Sequence, residues 1–209
     1  MLFCDQCAKH GCEHGQKDQM PTGCPSKNEE LLDQIKEKYQ DPQNQTLAKM
    51  SALVEAEFYC QKTRVEEVME FCKKAGYHKL GVAFCIGSSK EAATACRIFR
   101  ANGFEVASVI CKVGGISKGF IGIEQSQQVN PCVYEAMCNP IGQAEYLNQE
   151  ETDFNIAIGL CVGHDSLLFK YSKAPVTVLV AKDRVLGHNP VAALYLADGY
   201  YKDKLFPKK

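Results

Sequence analysis

Between residues 27 and 77 the apolar positions recur at helical spacing. The segment NEELLDQIKEKY carries Leu31, Leu32 and Ile35 behind an acidic first turn. TLAKMSALVEAEFYCQ places Leu47, Met50, Leu53, Val54 and Phe58 on one face. TRVEEVMEFCKKAG opens on the capping-box pair Thr63 and Glu66 and closes on Gly76. Each segment predicts a helix.

From Lys79 the period changes. LGVAF and FEVASVIC are short, continuous apolar runs joined by the helical segment KEAATACRIFRANG, which Ser88 or Ser89 can cap and Gly103 stops. Strand, helix and strand with short loops is the unit of a parallel sheet, and continuous apolar runs suit strands covered on both faces. DFNIAIGLC, a helix from about Asp165 to Tyr171, APVTVLVAKD and a last helix around NPVAALYLADGY complete the pattern. The predicted fold class is therefore α/β: a three-layer, Rossmann-like parallel sheet of about four or more strands. It occupies 78–209, after a helical region at 27–77 packed on the core and a cysteine-rich segment at 1–26.

One connection is too long for a simple crossover. Between Cys111 and Asp153 the chain is first glycine-rich (KVGGISKGFIG), then passes Cys132 and Cys138 before a helix start at Asn139 and Pro140. A connection of this length in a compact domain is a lid or binding loop, or it is disordered, and its two cysteines favour the lid.

Composition narrows the function classes. The net charge of −1 gives no electrostatic case for nucleic acid or an anionic membrane as partner. No apolar run is long enough to span a bilayer, and the opening MLFCDQCAKH lacks the features of a secretory signal. A cytoplasmic location is expected. In a reducing compartment, twelve cysteines point to metal or redox chemistry before structural disulfides. Cys60, Cys72 and Cys96 fall within helical patterns and read as small buried hydrophobes.

Three predicted strands each end on a cysteine: Cys85, Cys111 and Cys161. Ligands of open parallel sheets bind outside the carboxyl ends of the strands. If the strands are neighbours, about 4.8 Å apart, these sulfurs can meet at one rim. Cys138 is the first choice for a fourth ligand and Cys132 the second. Without either, three thiolates would leave one iron of a 4Fe–4S cluster open to a substrate. His164 beside Cys161 can serve as an acid near neutral pH, and Lys182, with Arg184, can hold an anionic group. His164 and Lys182 are the candidate catalytic residues. The alternatives are three packed thiols, or a metal-free thiol site.

The amino-terminal segment is a second candidate. CDQCAKHGC gives Cys4, Cys7 and Cys12, and Cys24 follows in GCP. Four thiolates at this spacing suit a tetrahedral zinc or a 4Fe–4S cluster, and a segment with so few apolar residues needs such a staple.

CxxCxxxxC, GVAFCIG, CKVGG, MCNPIGQAEYLN and GLCVGHDSLLFKYSKAPVTVLVAKDRVLGHNPVAALY together resemble domain of unknown function 1847 across essentially the whole chain. The resemblance implies a cysteine-rich, metal-binding protein of the kind found mainly in anaerobic bacteria and archaea. It supplies no reaction. The expected function is an iron–sulfur or zinc protein acting on a small-molecule substrate or with a redox protein, through sulfur or redox chemistry. The alternative is a non-catalytic carrier or sensor of metal or electrons.

Overall fold

A computed structural model describes residues 4–207; the first three residues of the amino-terminal segment and the last two of the chain lie outside it. Four parallel strands form the sheet: β1 (Lys79–Phe84), β2 (Glu105–Ile110), β3 (Phe154–Ile158) and β4 (Val176–Val180), in the order β2-β1-β3-β4. The helices are α1 (Glu29–Lys38), α2 (Pro42–Phe58), α3 (Arg64–Ala75), α4 (Ser89–Ala101), α5 (Pro140–Gln149), α6 (His164–Tyr171), α7 (Val191–Tyr195) and α8 (Lys202–Leu205). The fold is α/β, with helices flanking both faces of the sheet as in Rossmann-like three-layer proteins.

Side-chain alternation assigns the two faces. Ala83, Cys85, Cys111 and Ala157 pack with Ala144 and Leu147 of α5 and Leu168 of α6. On the other face, Phe154 meets Phe71 of α3 at 5.1 Å between ring centroids, and α4 packs against β2. Phe99, Leu80, Leu147, Ile156, Ile158 and Leu168 are fully buried. Each contributes roughly 1.5–3 kcal/mol. The central strands β1 and β3 are buried almost throughout, whereas the edge strands β2 and β4 are only partly covered. Burial on both faces, expected for every strand, therefore holds only for the inner pair.

Two polar devices align β1 with β3. Asp153 accepts hydrogen bonds from the backbone N–H groups of His78 at 2.7 Å and Lys79 at 2.8 Å. Asn155 is buried, donating to Ser172 Oγ and accepting from Thr152 Oγ1. Its neighbour across the sheet has to be Gly81, because a Cβ there would lie 1.9 Å from Asn155 Oδ1.

The chain divides into two compact units between Glu57 and Phe58, so α3 belongs to the unit of the sheet. Within the first unit α1 leaves Leu31 and Ile35 exposed, and Val54 is the buried residue of α2. An apolar groove of about 530 Å³ lies between these helices, lined by Ile35, Tyr39 and Leu47 among others. In the second unit α3 carries the predicted capping box, and Gly76 ends it at φ 74°. Cys72 and Cys96 are buried as expected. Cys60 is not: it follows the end of α2 at φ 57° and is exposed, because the helix stops at Phe58. The last predicted helix shortens to Val191–Tyr195.

Candidate functional site

The strand order places β1 between β2 and β3, which satisfies the condition for cysteines to meet at the rim. Register decides which of them do. Phe84 pairs with Ile110 and with Ile158, so the next positions across the sheet are Cys85, Cys111 and Gly159. The Cys111 N–H bonds Phe84 O at 2.8 Å, and the Cys85 N–H bonds Ile158 O at 3.0 Å. Cys85 and Cys111 are therefore lateral neighbours on the α5 face. Cys161 is not in register with them: β3 ends at Ile158, and the chain turns at Gly159 (φ 62°) before reaching it.

The long connection supplies the third sulfur. It folds back on itself, with Lys118 N–H to Glu135 O at 3.1 Å and Met137 N–H to Ile116 O at 2.7 Å. The Lys118 ammonium pairs with Glu135 Oε1 at 2.5 Å. Asn139 N–H then bonds Cys111 O at 2.7 Å, delivering Cys138 to the rim. The Asn139 side chain caps α5 through the Gly142 N–H, so helix start and cysteine placement share one residue. Cys132 stays on the exposed part of the connection. Of the two cysteines weighed for the fourth position, Cys138 is the one brought to Cys111.

Cys138 packs against the buried cluster that holds Cys85 and Cys111. The neighbouring Cys138 thiol and burial push the Cys111 thiol well above its ordinary range. Cys111 in turn holds Cys138 below its own; burial opposes this, and the Lys112 ammonium and the nearby His164 add to the lowering. Lys112 is anchored by Ala136 O at 2.6 Å. Cys111 Sγ also accepts the Ile86 N–H at 3.3 Å. The donor set is one of soft sulfurs with backbone N–H and cationic neighbours, which suits thiolates bound to zinc or iron. Among the described residues, no three His, Cys, Asp or Glu side chains stand close enough together to hold a single metal ion.

Behind the sulfurs lies Gln143, fully buried on α5. Its amide donates to Phe84 O at 3.2 Å and Val109 O at 2.7 Å, tying together the strands that lead to Cys85 and Cys111. Gln143 Oε1 has no hydrogen-bond partner among the described residues. Sequence reasoning passed over this residue; the available signal was a polar side chain in the apolar stripe Pro140, Ala144 and Leu147.

On the β3–β4 side, Cys161 Sγ accepts a 2.9 Å hydrogen bond from the Arg184 guanidinium. Lys182 Nζ donates to the buried Ser88 Oγ at 3.3 Å. Ser88 occupies the N-cap position of α4, but its hydroxyl makes no capping bond. At α6 the cap is Gly163, and the Asp165 carboxylate instead accepts the Ser166 N–H.

In the amino-terminal segment, Cys4–Gln6 forms a single 3₁₀ turn and the Cys7 N–H closes it on Cys4 O at 3.2 Å. Backbone N–H groups of His10 and Lys9 approach the Cys7 sulfur and hold its thiol below the ordinary value. Cys4 and Cys12 are exposed, Cys7 and Cys24 half-buried.

A cysteine-rich α/β protein with a basic, sulfur-lined strand rim is the class that this architecture defines. No helix among the described residues is long and apolar enough to cross a membrane. The chain belongs to the family described as protein of unknown function DUF1847, whose model matches residues 24–179. It is also similar to an uncharacterized protein of Methanocaldococcus jannaschii, with 46% identity over 208 residues covering 100% of both chains.

Proposed function

We propose that the protein carries a sulfur-ligated inorganic centre at the sheet rim, held by Cys85, Cys111 and Cys138 with Cys161 on its open side. The observation that carries this reading is the packing of Cys138 against the cluster of Cys85 and Cys111, which unites sulfurs from the ends of β1 and β2 and from the long connection. An iron–sulfur cluster suits this donor set better than zinc, because its thiolates bind different irons and can stand farther apart than ligands of one ion. Bound with three protein thiolates, such a cluster would supply an open iron for sulfur or redox chemistry on a small molecule. His164 and Lys182 are then the side chains that assist at the rim. Cys4, Cys7, Cys12 and Cys24 are the ligands we assign to a second, structural site for a 4Fe–4S cluster or zinc, whose binding would draw them closer than they stand; the N–H groups directed at Cys7 support a thiolate there.

The test is anaerobic purification of the full chain with iron, sulfide and zinc quantified against protein. Iron and sulfide in excess of one amino-terminal site, reduced by serine at Cys85, Cys111 or Cys138, is the expected result. Metal content unchanged in all three variants would overturn the rim centre.

The exposure of Cys4 and Cys12 favours a second reading, in which the protein is a carrier or sensor that passes metal or electrons to a partner. It predicts rapid loss of metal from the amino-terminal site to a chelator and no dependence of that loss on the rim cysteines.

A further inference from the structure

The sheet order β2-β1-β3-β4 makes the gap between β1 and β3 the place where connections leave in opposite directions, and crevices of this kind hold the ligands of open α/β sheets. Lys182, from the segment after β4, reaches back to the carboxyl ends of β1 and β3. A Cβ on Gly159 would lie 3.4 Å from its Nζ and one on Gly87 would lie 3.7 Å from it, which places the ammonium beside the residues that follow β3 and β1. The same Gly87 position is 3.9 Å from Cys85 Sγ. Lys182 is half-buried, yet among the described residues its bonding is confined to the long contact with Ser88 Oγ. Arg184, two residues on, bonds the Cys161 sulfur and, among the described residues, makes no ion pair.

Among the described residues no carboxylate forms an ion pair with either side chain. Asp165 is bonded to the Ser166 N–H, and Asp183 is bonded to the N–H groups of Val185 at 2.8 Å and Leu186 at 2.7 Å. A solvated surface lysine would extend away from the protein, whereas this one is drawn over two glycines toward a buried hydroxyl. Withdrawing an ammonium from water without a counter-charge is unfavourable. An anion arriving from solution supplies that counter-charge, and the planar guanidinium suits an oxyanion at the entrance.

We propose that this crevice binds a small organic oxyanion, held by Lys182 with Arg184 at its mouth, so that the body of the molecule faces Cys85 and Cys161. The inference rests on the reading of the rim as a small-molecule site and assigns the charge of its substrate.

A pair of cysteine reagents alike in shape and different in charge tests it on the full chain. Iodoacetate and iodoacetamide are applied separately, and alkylation rates at Cys161 and at the exposed reference Cys60 are read by mass spectrometry. Any change in thiol reactivity affects both reagents and cancels in their ratio. The iodoacetate-to-iodoacetamide ratio at Cys161 should exceed that at Cys60 by about fivefold, the effect of roughly one charge–charge contact at a hydrated surface. Lys182→Gln and Arg184→Gln should each bring it toward the Cys60 value. Equal ratios at the two cysteines, a ratio unchanged in both variants, or failure of either reagent to reach Cys161 would overturn the proposal. Because alkylation is read without turnover, metal content of the same preparations reports on the cysteine centre separately.

Discussion

Cys138 packs beside Cys111 although the two lie at opposite ends of the long connection after β2. The contact exists because Asn139 bonds Cys111 O on one side and caps α5 on the other. The connection is thus an ordered flap that brings Cys138 to the rim.

Loosening the flap should therefore reach the sulfurs. Lys118 and Glu135 pair at 2.5 Å with each side chain about one-fifth exposed, and Glu135 also receives the Val129 N–H at 2.9 Å. Lys118→Met should cost about 1 kcal/mol in urea unfolding, the usual scale for a partly buried pair. Limited proteolysis should then cut within 112–139 faster than in the native chain. Unchanged cleavage there would mean that the pair does not hold the flap.

The β1–β3 contact makes a sharper stability prediction. Gly81→Ala places a Cβ 1.9 Å from Asn155 Oδ1 and 3.1 Å from Leu147 Cδ1, inside a layer with no room to yield. A loss of about 3 kcal/mol is expected, at the upper end for overpacking. The urea midpoint measures it, and a change below about 1 kcal/mol would show that Asn155 moves aside freely.

How much of this was legible beforehand divides along physical lines. Periodicity located the strands, and short-range chemistry located the caps at Thr63, Gly76 and Asn139, because those signals are written in adjacent residues. The convergence of Cys85 and Cys111 was also readable, since both end apolar runs. The offset of Cys161 was not: it depends on β3 stopping at Ile158 and turning through Gly159, a matter of register between distant segments. The Arg184–Cys161 bond was invisible for the same reason, and Gln143 showed only as a polar side chain within the apolar stripe of α5. Cys60 misled because helical periodicity continues past the residue where α2 ends.

The buried thiol of Cys72 gives the pH dependence. Burial, with the nearby charge of Asp153, pushes it up to about 12. A thiol raised in the folded state favours folding fully below its unfolded value of about 8.5, and that contribution declines as pH rises toward the folded value. Between pH 9 and 11 the unfolded chain loses this proton first, so Cys72 should contribute a fall of about 1.4 kcal/mol per pH unit. The stability gap between the native chain and Cys72→Ala should shrink across that range by urea unfolding. A gap independent of pH would show that the thiol is not held neutral.

The central claim is that the rim sulfurs act together, and the two cysteines of the long connection test it against each other. Cys138→Ser and Cys132→Ser are purified anaerobically beside the native chain, and iron, sulfide and zinc are measured in all three. The account predicts that Cys138→Ser loses the rim complement of metal while Cys132→Ser keeps it. Equal metal content in the native chain and both variants would contradict it.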